Sequence, residues 1–348
     1  MGLSGLTRLR RAARLLRSRI ASQAVILLYH RVAELDSDPQ LLCVKPKHFA
    51  EHLQVLARYG YRMRVDELAE SLHNGTLPRR AIAVSFDDGY ADNLYNAKPL
   101  LQSYDVPATV FVTSGYIGRD LEFWWDELER LLLKPLTVPA ELSLVIGAKS
   151  YRWKASAESS QAEHVRAAQP RSSSRVKTDT GSRFSLYWSL CGVLRNLPEL
   201  ERRRALEKLL TWSGAAVTSR STHRPMTNHE LASLAGDAIF EVGAHTVWHP
   251  VLSSIPQPMQ ESEVQGSKAF LEEALGRTVN SFSYPYGTRL DYTTETTDIV
   301  GAAGFTSACS NFAGTVWRNT DRFQLPRCLV RDWDGDTFEQ KLREWSAG

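Results

Sequence analysis

Short apolar runs alternate with amphipathic stretches along most of the chain. Val25–Tyr29 reads as a buried strand, and Ile82–Phe86, Ala108–Thr113 and Ile239–Val242 repeat the pattern. Between the first two, His48–Tyr59 carries helical spacing up to Gly60, and Val65–His73 does the same before Asn74-Gly75. A helix through Pro99–Ser103 separates the next pair of strands. Helices over Asn228–Leu234 and Glu261–Leu275, and strands over Val279–Tyr284 and Phe305–Ser310, continue the alternation downstream. This order predicts an α/β fold with a parallel sheet closed as a barrel.

Between about 137 and 225 the pattern changes. Leu142–Ile146 and Ser150–Trp153 suggest a hairpin turning at Gly147, residues 155–183 show no period and read as a long loop, and Leu186–Leu210 reads as helical. We expect this block to be a mostly helical insertion into a domain spanning 23–348.

The formal charge of +3 is a property of the N-terminus. Residues 1–22 hold Arg8, Arg10, Arg11, Arg14, Arg17 and Arg19 and no acid, which leaves the remainder net negative. On a helical wheel Leu6, Leu9, Ala13, Leu16 and Ile20 form one stripe with the arginines off it. That is the pattern of an in-plane helix on an anionic membrane surface, with a solvated basic helix packed on the domain as the alternative. The arginines run through the segment without a signal-peptide pattern, and no stretch has the apolar length of a membrane span, so a cytoplasmic, peripherally membrane-associated protein is the expectation. Basic residues interleaved with aromatics are missing elsewhere, which argues against nucleic acid. Cys43, Cys191, Cys309 and Cys328 are scattered and fit reduced, buried thiols. The sequence leaves the oligomeric state open.

Chemistry concentrates at strand ends. Phe86-Asp87-Asp88-Gly89 ends one apolar run, and His245-Thr-Val-Trp-His249 follows another. The His pair at i, i+4 falls on one face of a helical turn. One carboxylate with two imidazoles makes a half-open cation site, and the second carboxylate remains available as a base. In Phe282-Ser-Tyr-Pro-Tyr-Gly287, Pro285 and Gly287 turn the chain off the sheet, which offers backbone amides such as that of Tyr286 to an oxyanion. Trp124, Trp125 and Trp333 are candidates for stacking on a sugar ring, with packing as their alternative role.

The order Phe-Asp-Asp-Gly, His-Thr-x-x-His, Tyr-Pro-Tyr-Gly resembles the polysaccharide deacetylases, the NodB homology domain of carbohydrate esterase family 4. Tyr29-His-Arg-Val32, Pro107–Val112, Phe123-Trp-Trp-Asp126 and Leu325-Pro-Arg327 resemble members that serve exopolysaccharide synthesis. The resemblance covers about 25–135 and 226–335. It implies a distorted (β/α) barrel holding one divalent metal, Zn2+ in most members, on Asp88, His245 and His249. It further implies that Asp87 is the general base, that the Tyr286 amide is an oxyanion donor, and that the substrate is an N-acetylated saccharide on a polymer or lipid carrier. A silent carbohydrate-binding protein and a deformylase or deacylase of another small amide are the alternatives.

The chain departs from that pattern twice. Ser283 stands where many members carry an arginine, and no histidine follows His249 to supply the late acid. Arg327 is the candidate partner for Asp87, and His30 the candidate acid.

Overall fold

The computed structural model describes residues 22–147, 149–155 and 179–347. All but the last residue of the helix expected over 1–22 and most of the loop expected over 155–183 lie outside the described residues. Among the described residues two compact units emerge, one made of 22–119 with 224–347 and the other lying within Asp120–His223. In chain order the strands are β1 (Gln23–Tyr29), β2 (Arg31–Val32), β3 (Cys43–Val44), β4 (Tyr61–Met63), β5 (Ala81–Phe86) and β6 (Ala108–Val112). They continue as β7 (Glu141–Ile146), β8 (Lys149–Ala155), β9 (Asp179–Gly181), β10 (Phe240–Ala244), β11 (Ser281–Ser283), β12 (Ser307–Cys309), β13 (Val316–Trp317) and β14 (Cys328–Leu329).

In the first unit β12, β11, β10, β6, β5 and β1 run parallel, side by side in that order. β14 pairs with the free edge of β1, Leu27 opposite Cys328. Just before it, Leu325 bridges Cys309 of β12. The sheet thus curls into a distorted (β/α) barrel, closed on one side by a short ladder and a single bridge. Strands covered on both faces need apolar residues throughout, which is why β1 and β5 are continuous hydrophobic runs.

Outward-facing Val25, Leu27, Ile82, Val84 and Val110 pack in one core with Phe49, Leu53 and Leu56 of the helix Pro46–Tyr59. Inward-facing Ala24, Ile26, Ala83 and Phe111 form a second core with Val65, Leu68 and Leu72 of the helix Val65–His73. That short helix plugs the N-terminal end of the barrel. Its first amides donate to side chains of the barrel interior, Val65 to Thr109 Oγ1 at 3.0 Å and Asp66 to Glu241 Oε2 at 3.2 Å. With that end closed, the C-terminal ends of the strands are left for chemistry.

The second unit begins earlier than the sequence pattern suggested, because the helix Trp124–Leu132 packs against the helices Arg183–Leu194 and Glu199–Ser213. The single helix expected over 186–210 is these two. Pro198 breaks it, standing in extended conformation (ψ 151°) immediately before the second. The hairpin β7–β8 forms as expected, with β9 added in parallel to β8. All four cysteines are buried and none forms a disulfide. No helix among the described residues is long and apolar enough to cross a membrane.

Candidate active site

Strand register brings the motifs to one rim. Tyr29 pairs with Phe86, Phe86 with Val110, Val112 with Ala244, and Ala244 with Phe282, so the residues that follow these ends share the C-terminal mouth. Asp87 makes the last link there, its amide donating to the Tyr29 carbonyl at 3.0 Å. The chain then turns sharply, with Asp88 at φ 75° and Gly89 at φ 88°. A Cβ on Gly89 would meet Val112 at 3.3 Å in addition to that conformational cost.

Asp88, His245 and His249 are buried, and one ligand atom from each lies within 4.8 Å of the others. The Nε2 atoms of His245 and His249 stand 3.7 and 3.6 Å from Asp88 Oδ1. Donors about 2.1 Å from a tetrahedral ion stand roughly 3.4 Å apart, so this set fits a divalent cation after a small contraction. Nδ1 of His245 donates to the Ser283 carbonyl at 2.7 Å, which leaves the Nε2 lone pair to face Asp88. Burial holds the His245 imidazole below its ordinary pKa, the neutral form that a metal requires.

The His-x-x-x-His segment is not a helical turn. Thr246 and His249 have positive φ, 63° and 55°, so the chain bends instead of winding. Thr246 Oγ1 accepts from the His249 amide at 3.0 Å, and Glu263 Oε2 accepts from the amides of Val247 and Trp248 at 2.9 and 2.8 Å. Those side chains replace the carbonyls that a helix would offer. With Asp88 and Tyr286 (φ 61°), four non-glycine residues around this centre occupy the left-handed region, a concentration of backbone strain of the kind found at functional sites.

Asp87 sits beside the cluster, its Oδ2 3.8 Å from His245 Nε2. Arg327 grips it with two parallel bonds, Nη1 to Oδ1 at 2.7 Å and Nη2 to Oδ2 at 2.6 Å. Nε of Arg327 donates to the Ser310 carbonyl at 2.8 Å, and Nη2 also donates to Ser283 Oγ at 2.8 Å. Ser283 in turn donates to Asp87 Oδ2 at 3.3 Å. Burial opposes ionisation of Asp87, but its positive neighbours, led by the Arg327 guanidinium and followed by His245, together take the carboxyl down to about 2.

His30 follows β1 half-buried, with its carbonyl held by the Asn93 side-chain amide at 2.9 Å. Burial pushes its imidazole down to about 3 against the pull of Asp87, so at rest it is neutral. The Tyr286 ring lies edge-on against His249, centroids 4.7 Å apart. Gly287 (φ 65°) follows where a Cβ would meet the Asn311 amide at 2.7 Å.

The tryptophan candidates separate. Trp124 and Trp125 are core residues of the second unit, 2% and 5% exposed; Trp125 stacks on Phe123 at 5.0 Å and Trp124 carries Arg202 over its ring. Neither leaves a face for a sugar, so packing replaces the stacking role expected from the sequence. Trp333 follows the last barrel strand and is half-buried against Trp345. Sequence reasoning missed Glu263 and the parts played by Ser283 Oγ and the Ser310 carbonyl. Nothing in the local pattern marks them, because each acts on residues distant in sequence.

Among the described residues one further group, Asp126, Glu129 and His223 in the second unit, has ligand-like spacing. Arg220 already holds Glu129 at 2.6 Å and Glu122 at 2.9 Å, so those charges are balanced without a cation.

A barrel with this rim is the class of protein the site defines, and comparison with known proteins agrees. The polysaccharide deacetylase family profile matches residues 74–189 and 213–308, more than half of the chain. The chain belongs to the polysaccharide deacetylase family. It is 34% identical over 108 residues to YxkH of Bacillus subtilis, which carries that family's name, across 30% of this chain and 37% of the relative. It is 32% identical over 62 residues to poly-beta-1,6-N-acetyl-D-glucosamine N-deacetylase of Staphylococcus aureus, across 18% of this chain and 21% of that protein. The matched stretches therefore span well under half of those relatives. Among solved structures, IcaB of Ammonifex degensii superposes with a TM-score of 0.57 at 18% identity, covering 94% of this chain and 98% of that one. Streptococcus pyogenes deacetylase PplD superposes at 0.56 and 17% identity, covering 92% and 99%. At such identities these likenesses speak for the fold.

Proposed function

We propose that the chain is a metal-dependent hydrolase that removes acetyl groups from the amino sugars of a saccharide. One observation carries the reading. A three-ligand cluster, Asp88, His245 and His249, stands beside a carboxylate that Arg327 keeps ionised. The names borne by the Bacillus and Staphylococcus relatives support the substrate class.

A divalent cation on Asp88, His245 and His249 would polarise the amide carbonyl and lower the pKa of the attacking water. Asp87 takes the proton from that water as its oxygen bonds to the carbonyl carbon. A carboxylate with a pKa of about 2 is a weak base, so it depends on an acidified water. Arg327 fixes the orientation of Asp87 and prevents it from resting in the protonated state. We assign the Tyr286 amide, at a left-handed turn whose ring packs on His249, as the donor to the carbonyl oxygen as charge develops there. The carbon–nitrogen bond then breaks, and the amine must leave protonated. We assign delivery of that proton to His30, which follows β1 at the same rim and is neutral at rest.

The test is acetate release from N-acetylated oligosaccharides by chelator-treated protein before and after Zn2+ is restored. Restoration in the native chain, with none in Asp87→Asn that still binds Zn2+, supports the reading. Acetate release by the Asp87→Asn variant at the native rate refutes it. Binding of the saccharide without turnover would make the chain a carbohydrate-binding protein instead.

A further inference from the structure

We infer that Glu263 is a positioning residue of the metal centre, and that through its grip on the loop between the two histidines it sets how tightly a cation is held. The inference rests on the reading that Asp88, His245 and His249 bind that cation.

Two histidines four residues apart would meet on a helix without help, but this segment is a bend. In a bend the middle amides lose their intrahelical acceptors, and the angle between the two imidazoles is no longer fixed by backbone geometry. Both middle amides, of Val247 and Trp248, converge on one oxygen of Glu263, at 2.9 and 2.8 Å. The acceptor is charged, which strengthens and shortens such bonds.

Glu263 is half-buried near the start of the nineteen-residue helix Gln257–Leu275, which is anchored in the barrel wall by buried Val264, Ser267 and Leu271. The loop is therefore tied to a rigid element that carries no ligand itself. From the other side Ser114 and Gly115 donate their amides to the carbonyls of Thr246 and Val247, at 3.1 and 2.8 Å. A Cβ on Gly115 would stand 2.5 Å from the Val247 carbonyl oxygen, so these peptides are in close contact. The Thr246 hydroxyl shapes the bend locally, through the His249 amide. Glu263 fixes where the bend sits.

Co2+ is the probe, because both its affinity and its visible spectrum report ligand geometry. Native protein and Glu263→Ala, Glu263→Asp and Glu263→Gln are stripped of metal and titrated with Co2+, and the thermal midpoint of each metal-free form is measured. Loss of an outer contact of this kind weakens metal binding about 10–100-fold. That loss, with an altered spectrum, is expected for Ala and for Asp, whose oxygen is withdrawn by one methylene. Gln keeps an acceptor oxygen at the same reach but loses the charge, so it should weaken binding less than Asp does. If Ala does not fold, the contrast between Asp and Gln carries the test. Native affinity in both Ala and Asp overturns the inference, as does equal weakening in Asp and Gln. Absence of Co2+ binding by the native chain would instead overturn the metal reading, so the two failures are distinguishable.

Discussion

Both amino groups of Arg327 bond both oxygens of Asp87, in a pair whose side chains are 0% and 5% exposed. Removing one partner of such a pair strands the other charge away from water. Arg327→Ala should destabilise the protein by about 3–5 kcal/mol, whereas Arg327→Ala with Asp87→Asn should lose markedly less than the sum of the single changes. Urea denaturation of the four proteins gives the coupling energy, and strict additivity would contradict the pairing.

The Ser283 hydroxyl is already bonded to both members of the pair. Ser283→Arg alone forces a second guanidinium into that space, so we expect a loss of roughly 2 kcal/mol or more. Combining it with Arg327→Ser should restore both stability and measurable acetate release. A fully stable Ser283→Arg single variant would show that the space is larger than the contacts imply.

The depressed Asp87 carboxyl fixes a sign. Its folded pKa, about 2, lies below the ordinary 3.8, so the stability it contributes is complete above about pH 4 and is lost as pH falls through about 2. The shift amounts to on the order of 2 kcal/mol. The stability difference between native protein and Asp87→Asn should be flat from pH 5 to 8 and shrink only below pH 4. A change centred near neutrality would mean that Arg327 does not hold the carboxylate.

Glu241 predicts the opposite slope. It is buried in the barrel, where it accepts from Thr109 and Ser281 and from the Asp66 amide. Burial, with Asp66 adding to it, pushes its carboxyl up to about 7 from 4.5. A raised pKa contributes stability that is present below about pH 4.5 and lost as pH rises towards 7, about 1–3 kcal/mol in all. Glu241→Gln should abolish that decline. Thermal midpoints at pH 5 and pH 8 check it, and an unchanged slope in the variant would exclude Glu241 as the source.

The elements most legible in the sequence were those with enough length for a period to show. Val65–His73 was read to the residue, and β5 to within one, because caps, turn residues and apolar runs agreed there. β4, β13 and β14 have two or three residues each, too few for any pattern, and they exist because neighbouring strands offer them partners. At the site, Asp87, Asp88, His245 and His249 declared themselves by residue type and spacing, and their convergence is seen in the contacts. The backbone that carries the histidines was misread as a helical turn. Spacing of i, i+4 is shared by a turn and by a left-handed bend, and the acceptors that satisfy the bend, Thr246 Oγ1 and Glu263 Oε2, are side chains that spacing does not reveal.

The segment from Leu325 to Leu329 bridges β12, pairs with β1, and carries Arg327 between those two contacts. Closing the ring and arming the carboxylate are thus a single event. During synthesis Asp88, His245 and His249 emerge before the guanidinium that pairs with Asp87, so a chain ending before residue 325 would carry all three candidate ligands while lacking the partner of Asp87. On the proposed reading, acetate release would report completion of the barrel, and a truncation that spares every candidate ligand should release none.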